Sequence, residues 1–147
     1  MAQAQANAAV GDKMPFPFFQ KSPPPTVYAE GQEWAYKTRD GEERSTVIIN
    51  KVESHQKLGS IFHISVVGVR AVNPHTVGGV QTELPHFPVS LTTLEQSLTK
   101  LIRQRRSNPA YIDGYKEWKS AFDQGQAGIF TITIAEIVNL VESAMAS

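Results

Sequence analysis

The chain contains 147 residues, with 14 Lys and Arg, 14 Asp and Glu, and no Cys. This length fits one domain of ordinary size. The absence of cysteine excludes disulfides, a thiol nucleophile, Cys-ligated zinc and iron–sulfur clusters. A formal net charge of zero removes the long-range attraction expected of a general nucleic-acid binder. No apolar run approaches the roughly 20 residues of a membrane span.

Residues 1–25 differ in composition from the rest of the chain. Ala and Gln dominate the first positions, and three consecutive prolines at 23–25 favour an extended linker. We therefore expect residues 1–25 to form a flexible arm and residues 26–147 to form a single domain. Residues 14–19 include three Phe and one Met, which we expect to pack back on the domain because such rings seldom stay in water. Docking of this segment to a partner is the alternative.

The first residues bear on localisation. Residues 1–15 lack the basic and apolar segments of a secretory signal. Ala2-Gln3-Ala4 is nevertheless typical of the small residues that flank a signal cleavage site. We therefore expect an exported bacterial protein, periplasmic or secreted, with its signal peptide removed and Met1 added as an expression start.

The next residues predict β-strands. Residues 32–38 alternate polar and aromatic side chains, an Asp-Gly turn follows at 40–41, and residues 45–52 are largely β-branched. This pattern predicts a β-hairpin. Residues 60–71 are apolar on both faces, as in a central strand. Residues 80–84 predict a short fourth strand, which completes an antiparallel meander.

Two prolines follow the fourth predicted strand. Pro85 and Pro88 are expected to end it and to hold His86 and Phe87 in a stiff crossover over residues 85–89. Because clefts form where structural layers meet, this crossover is a candidate binding region. The alternative is a crossover that only packs Phe87 into the core.

Two amphipathic helices are predicted next. Ser90 or Thr92 can cap a helix that runs to about Arg105, where several basic residues suit the negative end of the helix dipole. A second helix, over residues 108–124, is expected to begin with Asn108 as its N-cap. Its apolar stripe is aromatic, and we expect it to pack on the sheet; the stripe comprises Tyr111, Tyr115, Trp118 and Phe122. In the alternative, Tyr111, Tyr115 and Trp118 present their rings to a ligand or partner.

The last elements complete the predicted fold. Residues 128–132 are β-prone and are expected to join the sheet as a late strand. Thr133 and Glu136 form a capping box for a final helix. The sequence therefore predicts an α+β fold, in which a four-stranded meander and one late strand form an antiparallel sheet that about three helices cover on one face.

Catalytic motifs are absent, which leaves histidines as the candidate chemical groups. His63 and Ser65 are two residues apart on the central strand, so their side chains share a face and could act as base and nucleophile. His86 could join them beneath the crossover. A metal site of His75 and His86 with acids of the aromatic helix is not required by any spacing, so no metal or cofactor is expected.

Two functional hypotheses follow. The first is a non-catalytic binding protein, such as a small bacterial inhibitor or immunity protein, that recognises a protein or a small apolar ligand and can form homo-oligomers. Its binding residues would be Tyr111, Tyr115, Trp118, His86 and Phe87. The second is a cofactor-independent hydrolase or isomerase in which histidines and an acid of the aromatic helix meet under the 85–89 crossover, with His63, Ser65 and His86 as catalytic residues. A deep pocket with a histidine near a carboxylate would favour the enzyme.

Overall fold

A computed structural model describes residues 27–147. Five strands form one antiparallel sheet in the order β4-β3-β2-β1-β5, with three helices. The α+β class and the five-stranded antiparallel sheet are therefore confirmed, and the predicted arm lies outside the described residues. The elements are β1 (Gln32–Tyr36), β2 (Thr46–His55), β3 (Gly59–Val72), β4 (Val80–Ser90), α1 (Leu91–Ser97), β5 (Leu98–Gln104), α2 (Tyr111–Asp123) and α3 (Ile134–Met145).

One face of the sheet forms the hydrophobic core. Apolar side chains alternate along the strands, so Phe62 and Ile64 point to the same side of β3. They pack beneath α1 and α3, which contribute Leu94 and Ile137 to the same cluster. Removal of this apolar surface from water is the main source of stability of the domain.

Helix α2 covers the opposite face. His63 lies between Phe62 and Ile64 in the strand, so its side chain points away from the core, and the rings of Tyr115 and Trp118 pack against it. The prediction that all helices lie on one face is therefore wrong in this respect. The aromatic stripe of α2 does pack on the sheet, as expected from its helical spacing.

The first predicted helix is much shorter than expected. Ser90 caps α1 by accepting a hydrogen bond from the Thr93 amide, as predicted, but the helix ends at Ser97 and the chain continues as β5. Strand β5 pairs with β1, with Leu101 opposite Trp34. Pairing with this sheet edge overrides the local helical periodicity. The basic residues after position 99 therefore do not lie at a helix end, and the expected interaction with a helix dipole is wrong.

Strand β4 continues through both prolines. Residues 85–89 are part of this strand and do not form a crossover loop, which corrects the prediction. The prolines are tolerated because β4 lies at the edge of the sheet, where one side of the backbone needs no strand partner. Phe87 is buried in the core against Phe130.

The predicted late strand is reduced to a single bridge. Phe130 alone pairs with Val89, through backbone bonds from Phe130 to Pro88 and from Ser90 to Phe130, each 2.9 Å long. The fifth strand of the sheet is therefore β5. The capping box of Thr133 and Glu136 is confirmed at the start of α3. None of the three helices in residues 27–147 is long and apolar enough to span a membrane.

Candidate functional site

A chain of hydrogen-bonded side chains lies between α2 and the sheet. Tyr115 donates from its hydroxyl to Oε2 of Glu53 at 2.8 Å. The other carboxylate oxygen, Oε1, lies 2.7 Å from Nε2 of His63. Nδ1 of His63 in turn lies 2.9 Å from Nε2 of His86. We call these four residues the histidine relay.

A β-bulge brings the two histidines together. Ile64 pairs with Phe87 and Val66 pairs with Leu84, so both Pro85 and His86 stand opposite the single residue Ser65. The extra residue keeps Leu84 and Phe87 on the core face although they are three positions apart. It leaves His86 on the opposite face, beside His63.

Aromatic rings cover the histidine relay. His63 has no exposed surface, and its ring centroid lies 4.7 Å from that of Tyr115 and 4.9 Å from that of Trp118. The His63 and His86 rings are nearly parallel, at 13°, with centroids 5.1 Å apart. Because their nitrogens are 2.9 Å apart, the rings meet edge to edge through a hydrogen bond.

The carboxylate end of the relay is ionised at neutral pH. Partial burial raises the pKa of Glu53, but hydrogen bonds from Tyr115 and His63 outweigh this effect and leave the pKa below its ordinary value. Burial and the bond to Glu53 together raise the pKa of Tyr115 to about 12, so its hydroxyl keeps its proton.

The imidazole rings of His63 and His86 are uncharged at neutral pH. Burial lowers the pKa of His63, with Lys51 and Lys119 acting in the same direction, and the opposing effect of Glu53 is smaller. Burial, followed by the neighbouring His63, lowers the pKa of His86 to about 4. An ionised carboxylate only accepts hydrogen bonds, so Nε2 of His63 carries its proton. His86 therefore donates from Nε2 to Nδ1 of His63.

Ser65 has other partners than His63. Its hydroxyl donates to the carbonyl oxygen of Pro85 at 2.7 Å and accepts from the side-chain amide of Asn50 at 2.8 Å. The structure brings His63 and His86 together but does not place Ser65 in hydrogen-bond contact with either. Glu53, which completes the relay, was not a sequence candidate because it lies just beyond the β-branched residues 45–52 that predicted the second strand.

The remaining sequence candidates are divided between the two faces of the sheet. Tyr115 and Trp118 face the relay, and the Trp118 indole donates to the carbonyl oxygen of Gly128 at 2.8 Å. Tyr111 is half-buried beside Tyr115, with ring centroids 6.0 Å apart. Phe87 lies on the core face and is 8% exposed. These residues therefore do not form one continuous surface.

Two cavities of the structure lie away from the relay. A cavity of about 300 Å³ on the outer side of α3 includes Ile132 and Leu140. A second, of about 250 Å³, lies at the hairpin turn near Asp40 and Arg70. Neither reaches the histidines. Within residues 27–147 no group of three or more His, Asp or Glu side chains is arranged to hold a metal ion.

Strand β5 is an edge strand with largely exposed side chains. It is the last strand of the sheet, and Leu101 and Ile102 are 42% and 43% exposed. Four cations accompany them, at positions 100, 103, 105 and 106. Two of them share the buried carboxylate of Glu33, whose Oε1 lies 2.8 Å from Nε of Arg103 and 3.6 Å from Nη1 of Arg105. The edge remains apolar and basic.

The comparisons with known proteins do not assign a function to this chain. No protein-family model matches the chain, and neither a curated protein nor a solved structure matches it. The fold class alone does not define an activity, because unrelated functions share the same folds.

Proposed function

We propose that this chain is a non-catalytic protein-binding module, of the kind used by small bacterial inhibitors and immunity proteins. The observation that carries the proposal is the closure of the histidine relay by α2. A general base must come within hydrogen-bond reach of the proton that it removes. Both nitrogens of the fully buried His63 are already occupied, by Glu53 and by His86.

The exposed surface supports the same proposal. The apolar side chains that remain in contact with water include Leu101 and Ile102 on β5 and Leu140 on α3. Apolar groups rimmed by charged residues are typical of protein–protein interfaces. The carboxylates of Glu53 and Glu33 are instead engaged in internal contacts.

A small hydrolase or isomerase is the second candidate, and one observation favours it. Glu53 orients His63, which in turn contacts His86, an order that is similar to the acid–histidine pairing of catalytic triads. His86 is half-buried and would be the terminal base. For catalysis α2 would have to move away, since Gly114 lies directly against the His86 ring.

Two measurements on the full chain test these candidates. The first follows turnover of carboxylic ester, amide and phosphoester substrates by the wild-type protein and by His86→Gln. The second uses cross-linking in an extract of the organism that encodes the chain, followed by reconstitution with the captured protein after purification. A saturable complex of fixed stoichiometry that forms equally with His86→Gln supports the binding function. Substrate turnover that disappears in His86→Gln overturns it.

A further inference from the structure

We infer that the outer edge of β5 binds an extended segment of a partner protein in which acidic and apolar residues alternate, so that the segment adds a sixth strand to the sheet. This inference rests on the proposed binding function and specifies its surface and partner. β-Strand addition of this kind gains affinity from backbone hydrogen bonds and specificity from alternate side chains.

The backbone of β5 is suited to such an addition. It pairs on one side with β1 and is the terminal strand in the order β4-β3-β2-β1-β5. Six of its seven residues are exposed. A terminal strand has backbone amides and carbonyls on its outer side that no described strand satisfies, which makes it a template for another strand.

The two sides of β5 differ in chemistry. Leu101 stands opposite Trp34 and therefore lies on the core face of the sheet, next to buried apolar side chains. Lys100 stands opposite Ala35, and Arg103 stands opposite Glu33, so both cations lie on the face that α2 covers. A strand paired with β5 would therefore meet apolar side chains on one face and cations on the other.

This arrangement defines the pattern of the partner. Side chains directly opposite each other on paired strands interact, and opposite charges stabilise the pair whereas like charges destabilise it. Because β5 bulges between these two cations, they stand opposite β1 residues that are two positions apart, although they are three apart in sequence. A partner strand with the same register should place Asp or Glu at every second position, opposite Lys100 and Arg103. Its intervening positions should be apolar, so that they extend the core beside Leu101.

Charge also argues against two other occupants. A second copy of this chain would bring the same cations to both sides of the new pair, which is the like-charge arrangement that protects natural edge strands from self-association. The chain's own residues 1–26 contain one acidic residue, Asp12, and two basic ones, Lys13 and Lys21. These residues therefore lack the alternating acidic side chains that would pair with the cations of β5.

The direct test uses the ¹⁵N-labelled full chain and three eight-residue peptides. The first alternates Glu and Val, the second has the same composition with Glu and Val in separate blocks, and the third alternates Lys and Val. We expect the first peptide to shift the amide resonances of residues 98–104 and to slow their hydrogen exchange. Lys100→Glu should weaken this binding by about fivefold, the effect of a reversed cross-strand charge pair. Lys57→Glu, in the exposed β2–β3 turn, should leave it unchanged.

Several results of these experiments would contradict the inference. Equal binding of the alternating and block peptides would overturn the inference, as would tighter binding of a single-stranded oligonucleotide to the same residues. The inference would also fail if the outward-facing amides of β5 were already protected from hydrogen exchange in the free full chain. A second copy or residues 1–26 would then already occupy this edge. A reconstituted complex that is insensitive to Lys100→Glu would reject this edge and leave the binding function intact, whereas His86-dependent turnover would reject the binding function itself.

Discussion

Gly114 of α2 rests directly on His86 of β4. A Cβ atom at position 114 would lie 2.9 Å from Cβ of His86 and 3.4 Å from its Nδ1, which is closer than packed side chains normally approach. Glycine in a helix interior costs about 1 kcal/mol relative to alanine. The close packing of α2 on the relay explains why this position carries glycine nonetheless.

Gly114→Ala should therefore destabilise the domain despite the better helix propensity of alanine. The added methyl group must push α2 away from His86, and overpacking of this kind costs about 1 to 3 kcal/mol. The free energy of unfolding from urea titrations measures the effect. Gly128→Ala is the matched control, because a Cβ atom added at position 128 would meet nothing within 4 Å. Equal stability of the Gly114→Ala variant and the wild type would show that α2 is not tightly seated.

A second pair of glycines tests the attachment of β5 to β1. Gly31 and Gly41 have nearly the same positive φ, 88° and 86°, so alanine is strained by backbone conformation at both. A Cβ at Gly31 would also lie 2.5 Å from the carbonyl oxygen of Arg105, whereas nothing lies within 4 Å at Gly41. The carbonyl oxygen of Gly31 also accepts a hydrogen bond from the Arg105 amide at 2.6 Å.

Gly31→Ala should consequently cost more stability than Gly41→Ala, by about 1 to 3 kcal/mol for the extra overlap. It should also speed hydrogen exchange of the amides in residues 98–104, because the end of β5 is displaced. Chemical denaturation and exchange rates of both variants provide the measurement. Similar losses in the two variants would mean that φ strain alone matters and that Arg105 can move aside at little cost.

The sequence predicted the elements whose signals are local. The Asp-Gly hairpin and the Thr133–Glu136 capping box depend on neighbouring residues, and the structure contains both. Strand β5 was missed because leucines at 94, 98 and 101 fit a helix equally well, and the choice is made by the free edge of β1. The relay was missed in part because a β-bulge opposite Ser65 determines the face of the sheet on which His86 lies. No local sequence pattern predicts this bulge.

Acidification should weaken the domain through His86. The pKa of this residue is 6.5 in the unfolded chain and about 4 in the folded one, so the unfolded state binds a proton first as pH falls. The free energy of unfolding should therefore decrease between about pH 6.5 and pH 4. The lowered pKa of His63 acts in the same direction. Glu53, whose pKa is also lowered, adds its loss only below the ordinary carboxyl value of 4.5.

Urea titrations at pH 7.5 and pH 5 measure this dependence. His86→Gln removes one titrating group and should reduce the difference in unfolding free energy between the two pH values, even if it lowers stability at both. His75→Gln, in the exposed β3–β4 turn, is the control for the loss of one histidine. A His86→Gln variant with the full wild-type difference would assign the acid sensitivity to another group.

The hydroxyl of Tyr115 provides a direct measure of the relay's contribution to stability. Tyr115→Phe preserves the ring packing against His63 and removes the donor to Glu53. A hydrogen bond to a charged group contributes about 1.5 to 3 kcal/mol, and the side chain of Glu53 is 22% exposed, so water can replace part of it. We expect a loss of about 1 kcal/mol in unfolding free energy and a rise in the pKa of Glu53, measured by carboxyl ¹³C titration.

Tyr111→Phe is the control, since its hydroxyl forms no hydrogen bond with residues 27–147, and both properties should stay unchanged there. An unchanged Glu53 pKa in Tyr115→Phe would mean that His63 alone holds the carboxylate in its ionised form.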